Sequence, residues 1–350
     1  MKILHIAETV QGGVSTYLDL IVAHQVASEK LTGVALLVPD EQVSVLREIR
    51  ALPAVGIFTF PGTSRIARCM GLMRRLYAVL RDFRPDVVHL HSTFAGLICR
   101  IMLVGSPAKV IYQPHGVSFD PARVGFVTRF LYVLIERALL FFTDKVLAIS
   151  DYEKSLLDVH GFSSKTVLVM NAVRDTLCKP GERPARNHFL YVGRLDQQKG
   201  FDLLYDFWQH RQEKLVVIGE SVVSEDMQYC SSAHIELKGW VDQRNIDAYF
   251  ASALAVIVPS RWEGFGLVVP EAYRNGTPVI CSDRGALPSL VVEGITGYIF
   301  SLSNFDQALS ECIDLVRQGG GGMHGACRDY FLSNFDSKLM NARLEEVYFS

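Results

Sequence analysis

Trp262-Glu263-Gly264-Phe265-Gly266-Leu267-Val268-Val269-Pro270-Glu271-Ala272 follows a short apolar run, Ala255 to Val258. Two glutamates with seven residues between them bracket a Gly-x-Gly turn. Pro270 sits where the first turn of a helix accepts a residue that lacks an N–H. Such a turn exposes backbone N–H groups, while the flanking carboxylates accept hydrogen bonds from hydroxyls, which are the groups a sugar and a ribose offer. An apolar strand, a ligand-facing turn and a helix in that order belong to a doubly wound α/β domain.

Working outward, short runs rich in Val, Ile and Leu recur along the chain and are separated by stretches of helical periodicity, the pattern of parallel strands joined by crossover helices. In the first half, strands are expected near Ile3–Ala7, Val34–Val38, Gly56–Phe60, Val87–Leu90, Val110–Gln113, Lys145–Ile149 and Val167–Val169. The set restarts near Phe189–Val192, Leu215–Ile218, His234–Leu237, Ala255–Val258 and Pro278–Cys281. Between the sets lies a polar break, Asp175 to Asn187, with Pro180 and Pro184, which reads as a linker. A second loose spot, Gly319 to Gly322, precedes a last helical stretch. At 350 residues there is room for two domains, expected at 1–174 and 188–330 around a 175–187 linker, with a terminal helix over 331–350.

With 49% hydrophobic and 21% charged residues the chain has apolar material for two cores and no signature of disorder. Its net charge of −2 hides an asymmetry: up to Asn171 there are 18 Lys and Arg against 14 Asp and Glu, and after it 17 against 23. Arg65, Arg68, Arg74, Arg75, Arg81 and Arg84 crowd one stretch of the basic half, forming two arcs on a helix. That pattern suits a solvated helix, or a surface that meets anionic lipid at ~1 kcal/mol per cation. A pI of 6.6 and the lack of a basic stripe with interleaved aromatics exclude nucleic acid as the expected partner. Met1 to Ala7 lacks the features of a signal peptide, so a cytoplasmic location is expected. Gly125 to Phe142 is the longest apolar stretch, but it carries Arg129, Glu136 and Arg137 and is expected to be a buried helix rather than a membrane span. Seven cysteines without metal-type pair spacing read as reduced thiols.

Two further motifs sit at strand-to-helix turns. Gln11-Gly12-Gly13-Val14-Ser15-Thr16 follows the first strand, where glycine admits a close ligand and a helix N-terminus presents free N–H groups to an anion. It lacks the Gly-x-Gly-x-x-Gly spacing of a dinucleotide site, so no nicotinamide cofactor is expected. Val192-Gly193-Arg194-Leu195 with Lys199-Gly200 places two cations five residues apart after the first strand of the second set. A guanidinium that grips oxygens bidentately and an ammonium that acts as a point charge together suit a diphosphate.

In their order, and over nearly the whole chain, these motifs resemble the retaining GT-B glycosyltransferases of family four. The resemblance implies an α/β fold of two facing Rossmann-like domains with parallel sheets, an acceptor-binding first domain, a nucleotide-sugar-binding second domain and a C-terminal helix that crosses back to the first. It implies that Glu271 holds the donor ribose, Glu263 the sugar hydroxyls, and Arg194 with Lys199 the diphosphate. Gly193, Gly264, Phe265, Gly266 and Leu267 would line the same donor site, with Gly12 and Gly13 across from them. Gln113-Pro114-His115-Gly116 is similar to the family's His-Gly element, which makes His115 a catalytic candidate beside Arg194, Lys199 and Glu263. Ala148-Ile149-Ser150, Met170-Asn171-Ala172-Val173, Gly276-Thr277-Pro278-Val279-Ile280 and Glu293-Gly294-Ile295-Thr296-Gly297 match as scaffold markers.

The implied reaction moves a sugar from a nucleotide diphosphate sugar, a UDP-sugar in preference to a GDP-sugar, to a glycan or polyprenyl-diphosphate-linked acceptor, in the manner of O-antigen or capsule synthesis. Neither a cofactor nor a metal is expected, because no Asp-x-Asp pair exists to clamp a divalent ion beneath a diphosphate. Contact of the 65–84 stretch with the inner face of an anionic membrane is a further expectation. The competing readings are a nucleotide-sugar epimerase, a phosphorylase, or a non-catalytic sugar-nucleotide-binding subunit. Two places depart from the family pattern: Gly219-Glu220-Ser221 stands where a Gly-x-Gly is common, and Ser289 stands after Pro288 where a glutamate is frequent.

Overall fold

Parallel strands cannot be joined by tight turns, so each apolar run of this chain must be followed by a crossover. The computed structural model, which describes residues 1–176, 185–221, 229–319 and 322–350, shows that arrangement twice. One unit comprises Met1–Asn171 with Lys338–Ser350, the other Ala172–Ser337.

In the first unit the strands are β1 (Lys2–Ala7), β2 (Gly33–Pro39), β3 (Val55–Phe60), β4 (Val87–His91), β5 (Lys109–Gln113), β6 (Lys145–Ala148) and β7 (Thr166–Leu168). They form one parallel sheet in the order β3-β2-β1-β4-β5-β6-β7, with β1 paired to both β2 and β4. Helices α1 (Gly13–Ala27), α2 (Arg65–Phe83), α3 (Thr93–Met102), α4 (Phe126–Leu139) and α5 (Asp151–Val159) make the crossovers. The second unit has β8 (His188–Val192), β9 (Leu215–Ile218), β10 (Ile235–Leu237), β11 (Ala253–Val258), β12 (Val279–Ser282) and β13 (Gly297–Phe300) in the order β10-β9-β8-β11-β12-β13. Its helices are α6 (Phe201–Trp208), α7 (Gln243–Ser252), α8 (Val268–Arg274), α9 (Leu287–Leu290), α10 (Phe305–Gly319) and α11 (Met323–Asn334). Each unit has its own core, one built around Leu4, Ile6, Val88 and Leu90, the other around Phe189, Phe201, Trp208 and Ile257.

Every strand read from the sequence is present. β13 is additional: it begins at a glycine, and its apolar run, Tyr298-Ile299-Phe300, is short. The expected linker over 175–187 lies outside the described residues at 177–184, and the loose spot at 319–322 does so at 320–321. The chain passes between the units at Asn171 and again at Ser337, so residues 331–337 group with the second unit rather than with the helix that follows. There the two passes run side by side: Val173 N–H donates to Phe335 O at 3.1 Å and Ser337 N–H to Val173 O at 3.0 Å. Helix α12 (Ser337–Phe349) then packs on the first unit. Glu345 accepts from Lys30 Nζ and pairs with His24 Nε2, both at 3.0 Å, and Lys109 Nζ caps the helix end at Val347 O, 2.7 Å away.

The stretch 125–142 is helical, as expected, but it is not buried. Along α4 only Glu136 and Leu139 are buried; Phe126 is 75% exposed. Inward, Leu139 is buried and Val133 packs on the core, and an ion pair is added to them. Fully buried Arg100 of α3 donates to Glu136 Oε2 at 2.7 Å and to Gly96 O at 2.8 Å, and its guanidinium lies 3.9 Å from the centre of the Tyr112 ring. Tyr112 also donates to the other Glu136 oxygen at 3.2 Å. On α2, Arg68 is drawn to Glu8 at 3.3 Å and Glu41 at 3.2 Å, so it leaves the solvated arginine set. Six cysteines are free thiols, and Cys178 lies outside the described residues.

Removing one member of a buried ion pair strands the other charge and costs ~3–5 kcal/mol, whereas replacing both by apolar residues is often close to neutral. Glu136→Leu should therefore lower the urea unfolding midpoint sharply, and Arg100→Met added to it should restore most of the loss. Equal midpoints for wild type and the single variant would show that the pair is not an anchor.

Candidate functional site

In the second unit the two sequence cations lie in the loop after β8, each already held by an acid. Arg194 Nη1 pairs with Asp196 Oδ2 at 3.1 Å and Nη2 donates to Gln198 Oε1 at 2.7 Å, which fixes a side chain that remains 43% exposed. Asp196 Oδ1 also accepts from Lys199 N–H at 2.9 Å, closing the loop on itself before α6. Lys199 Nζ is hydrogen-bonded to Glu263 Oε1, and the same oxygen accepts from Ser260 Oγ at 3.0 Å. Three residues that the motif reading left out therefore hold this set, Asp196 and Gln198 on Arg194 and Ser260 on Glu263. Asp196 carried a signal, an Asx residue ahead of a helix; Ser260 carried none.

The Glu263 turn is fixed by close backbone approach. A Cβ on Gly285 (φ +58°) would stand 2.3 Å from Glu263 O, and Ala286 N–H donates to that oxygen at 3.0 Å. Arg261 makes a forked pair with Asp202, two bonds of 2.7 Å, tying the turn to α6. Phe265 is buried edge-on to Phe335 at 6.1 Å, so its side chain serves packing. Gly264 and Leu267 are half-buried and Gly266 is buried. Glu271 lies on α8, where burial pushes its carboxyl up to about 7 against the pull of Arg274. In the loop after β9, a Cβ on Gly219 (φ +145°) would meet Gly193 O at 1.8 Å, so this departure from the family pattern still packs directly on the Gly193–Arg194 loop. Residues 222–228 beyond it lie outside the described residues.

The first unit holds the remaining candidates. Helix α1 begins at Gly13 with Gly12 as N-cap and no side chain on its first N–H groups. At the end of β5, His115 adopts φ 53°, a left-handed conformation uncommon for a residue with a side chain, and Ser92 at the end of β4 has φ 80°. Glu153 holds this turn, accepting from Gly116 N–H and Ile149 N–H at 2.8 Å each; burial pushes its carboxyl up to about 7.

Behind His115 runs a chain of imidazoles that the motif reading did not find. His5 and His89 are register partners on β1 and β4, and His91 shares the face of His89 two residues on. His115 Nε2 lies 3.0 Å from His91 Nδ1, His91 Nε2 lies 3.0 Å from His5 Nδ1, and His5 Nε2 lies 2.8 Å from Gln25 Oε1. An amide oxygen only accepts, so His5 carries its proton on Nε2. His91 must then donate through Nε2 to His5 Nδ1, and His115 through Nε2 to His91 Nδ1. The far nitrogen of His115, Nδ1, is left unprotonated. Gln25 Nε2 donates to Tyr348 OH at 3.3 Å, which donates to His89 Nδ1 at 2.8 Å, so α12 closes the chain. Burial lowers His5 to about 4 and His115 to about 3, and holds His89 and His91 well below 6.5. All four rings are neutral.

His5, His89 and His91 bring ring nitrogens within 4.8 Å of one another and are the described group best placed to hold a metal. Two of those nitrogens are already engaged with each other, which favours the hydrogen-bonded chain. In front of His115 opens a cavity of about 490 Å³ in the first unit, lined among others by Glu8, Arg65, Ser92, Phe94, His115 and Arg123.

Two family models match the chain: "Glycosyltransferase Family 4" over residues 11–176 and "Glycosyl transferases group 1" over residues 175–321. A curated relative, an "Uncharacterized 41.2 kDa protein in cps region" of Klebsiella pneumoniae, is 29% identical over 99% of each chain. The UDP-Gal:alpha-D-GlcNAc-diphosphoundecaprenol alpha-1,3-galactosyltransferase of Escherichia coli is 22% identical over 95% of this chain and 98% of its own. Among solved structures, Anabaena Alr3699/HepE in complex with UDP-glucose superposes with a TM-score of 0.78 at 17% identity over 99% of both chains.

The histidines' depressed affinity for protons fixes a pH dependence. Their contribution to stability is complete above 6.5, the unfolded value, and is lost as pH falls towards their folded values of about 4 and 3. Glu153 and Glu271 act oppositely, costing stability as pH rises from 4.5 to about 7. Chemical unfolding of wild type and of His5→Asn and His91→Asn between pH 7 and pH 4 separates the two. The variants should lose less stability per pH unit, and equal slopes would refute the neutral buried chain.

Proposed function

This chain is a GT-B glycosyltransferase of family 4, and from that membership we propose that it transfers a hexosyl unit, with retention of anomeric configuration, from a UDP-sugar to a polyprenyl-diphosphate-linked glycan. The observation that carries this reading is the Lys199–Glu263 pair next to the acid-held Arg194, a preorganised set of cations and hydroxyl-accepting carboxylate at the carboxyl end of a parallel sheet. Relatives whose names include UDP-Gal and UDP-glucose support the uridine donor.

In this reading Arg194 and Lys199 take the donor diphosphate, Glu263 takes sugar hydroxyls and Glu271 takes the ribose, while His115 is the hydroxyl-accepting group of the first unit. Gly193, Gly264, Gly266 and Leu267 shape the pocket through their backbone. Gly12 and Gly13 contribute the uncapped N–H groups of α1. The unprotonated His115 Nδ1 accepts a hydrogen bond. Retention requires the acceptor hydroxyl to enter on the face that the diphosphate leaves, through an oxocarbenium-like transition state. The leaving phosphate oxygen takes the acceptor proton. The protein's task is then to stabilise charge growing on the diphosphate, the role in which preorganised donors matter most. In this reading Arg194 and Lys199 supply that stabilisation without a divalent ion.

The acceptor's diphosphate suits the cavity of the first unit, where Arg65 and Arg123 stand. The product is a cell-surface polysaccharide or its lipid-linked precursor, and the 65–84 stretch meets anionic lipid at the inner membrane face. A nucleotide-sugar epimerase would act without acceptor, a phosphorylase would consume phosphate, and a non-catalytic subunit would bind donor and turn nothing over.

Thermal shifts against uridine, guanosine, adenosine and thymidine diphosphates and their sugars test the donor. A ligand at 100 times its Kd stabilises by ~2.7 kcal/mol, and only the uridine series should shift the protein, with the effect lost in Arg194→Ala. Transfer rates at saturating donor should fall by roughly 10²–10³ in Arg194→Ala and in Lys199→Ala, and should persist in excess chelator. Near-wild-type turnover in either variant, or loss in chelator reversed by magnesium, would refute the corresponding step.

A further inference from the structure

A helix on the surface of a soluble domain keeps its apolar residues in one stripe turned to the core. Helix α4 does not. Phe126, Val127, Phe130, Leu131 and Leu134 are 75%, 71%, 61%, 51% and 57% exposed, and Phe141 in the turn that follows is 87% exposed. The side that faces the protein is the one carrying Glu136, satisfied by Arg100 and Tyr112. With its only acid removed from the surface, the segment 126–142 presents apolar rings and aliphatic chains with Arg129 and Arg137. The Arg129 guanidinium lies 5.6 Å from the Phe126 ring centre, its stem along apolar surface and its charge at the edge.

The neighbouring helices extend this face. Helix α3 packs between α2 and α4. It exposes Ile101, and α2 exposes Ile66 and Tyr77 together with Arg74 and Arg75. Arg65 sits 5.0 Å from the ring centre of Phe94 on α3, so cations border the apolar surface on the α2 side as well. At ~1.5 Å per residue α4 reaches about 21 Å, short of the ~30 Å of a hydrocarbon core. No helix among the described residues is long and apolar enough to cross a membrane. Such a helix lies in the interface instead of spanning it.

We infer that α4 and the turn after it dock into the headgroup region of a bilayer that contains anionic lipid, with the arginines of α2 and α4 on the phosphates around it. A second copy of the chain is the weaker occupant, because two such faces would bring like charges together, whereas an anionic surface neutralises them. Tyr132 and Ile135 of α4 also line the cavity in front of His115, so docking sets the cavity mouth at the depth of lipid phosphates. This consequence rests on the lipid-linked acceptor proposed above; the docking itself does not.

Flotation of the full chain with vesicles of phosphatidylcholine alone or with one third phosphatidylglycerol tests the inference. Wild type should float with the anionic vesicles, and high salt should weaken but not abolish this, since the apolar part is unscreened. Phe130→Asp with Leu134→Asp, residues outside the cavity, should lower the bound fraction roughly tenfold or more. The uridine diphosphate thermal shift of that variant should match wild type and certify its fold; Phe126→Asp with Phe141→Asp provides a second pair. Wild type that stays in solution with both vesicles, or variants that float equally well, would overturn the inference. So would a wild-type dimer that the Phe130/Leu134 variant splits. Loss of the nucleotide shift with flotation intact would instead fail the donor reading alone.

Discussion

Every ladder in both sheets is parallel, and this constraint sets where chemistry can occur. A parallel strand sends its chain out at its carboxyl end and receives it back at the other, so all the strand-to-helix loops of one unit gather along one edge. In the first unit that edge collects Gly12 after β1, Ser92 after β4, His115 after β5 and Ser150 after β6. In the second it collects Gly193 after β8, Gly219 after β9 and Glu263 after β11. In the second unit some of these loops run too close for a side chain, which is why Gly219 lies against Gly193 O and Gly285 against Glu263 O. The close spacing that forbids a Cβ also lets backbone N–H groups and short polar chains converge on one ligand.

The imidazole chain shows how the interior supports this edge. A buried polar group is costly unless its partners are complete, and from His5 through His91 to His115 each proton position follows from the one before it, starting at the Gln25 oxygen. His115 is held in an unusual backbone conformation with Glu153 fixing the next N–H. Strain at one residue survives because its neighbours determine it from two sides.

How much of this the sequence displayed depends on the distance over which each feature is encoded. Strand positions and the Glu263–Glu271 turn are local and periodic, and both were legible. The restart of strands near residue 188 showed that there are two units. The histidines escaped because His5 lies on β1, His89 and His91 on β4 and His115 in the loop after β5, so they meet only through sheet register; the spacing of His89 and His91 was the one local hint. The environment of α4 was misjudged because an apolar helix reads as buried whatever buries it, and the inward role of Glu136 depends on Arg100 thirty-six residues earlier. Phe265 shows the converse limit: a motif names the loop that meets a ligand without saying which of its side chains turns away.

The placement of α12 bears on how the polypeptide is made. Domains usually acquire their structure in the order in which they leave the ribosome. Here the second unit occupies residues 172–337 without interruption, while the first needs residues 338–350 to bring Tyr348 to His89 and Glu345 to Lys30. The unit synthesised first is thus the one finished last. Until the tail arrives, its nascent form keeps a hydrophobic seam and unpaired imidazoles open to chaperones and proteases, and a frameshift or stop codon close to residue 340 would disable the half of the molecule encoded farthest from it.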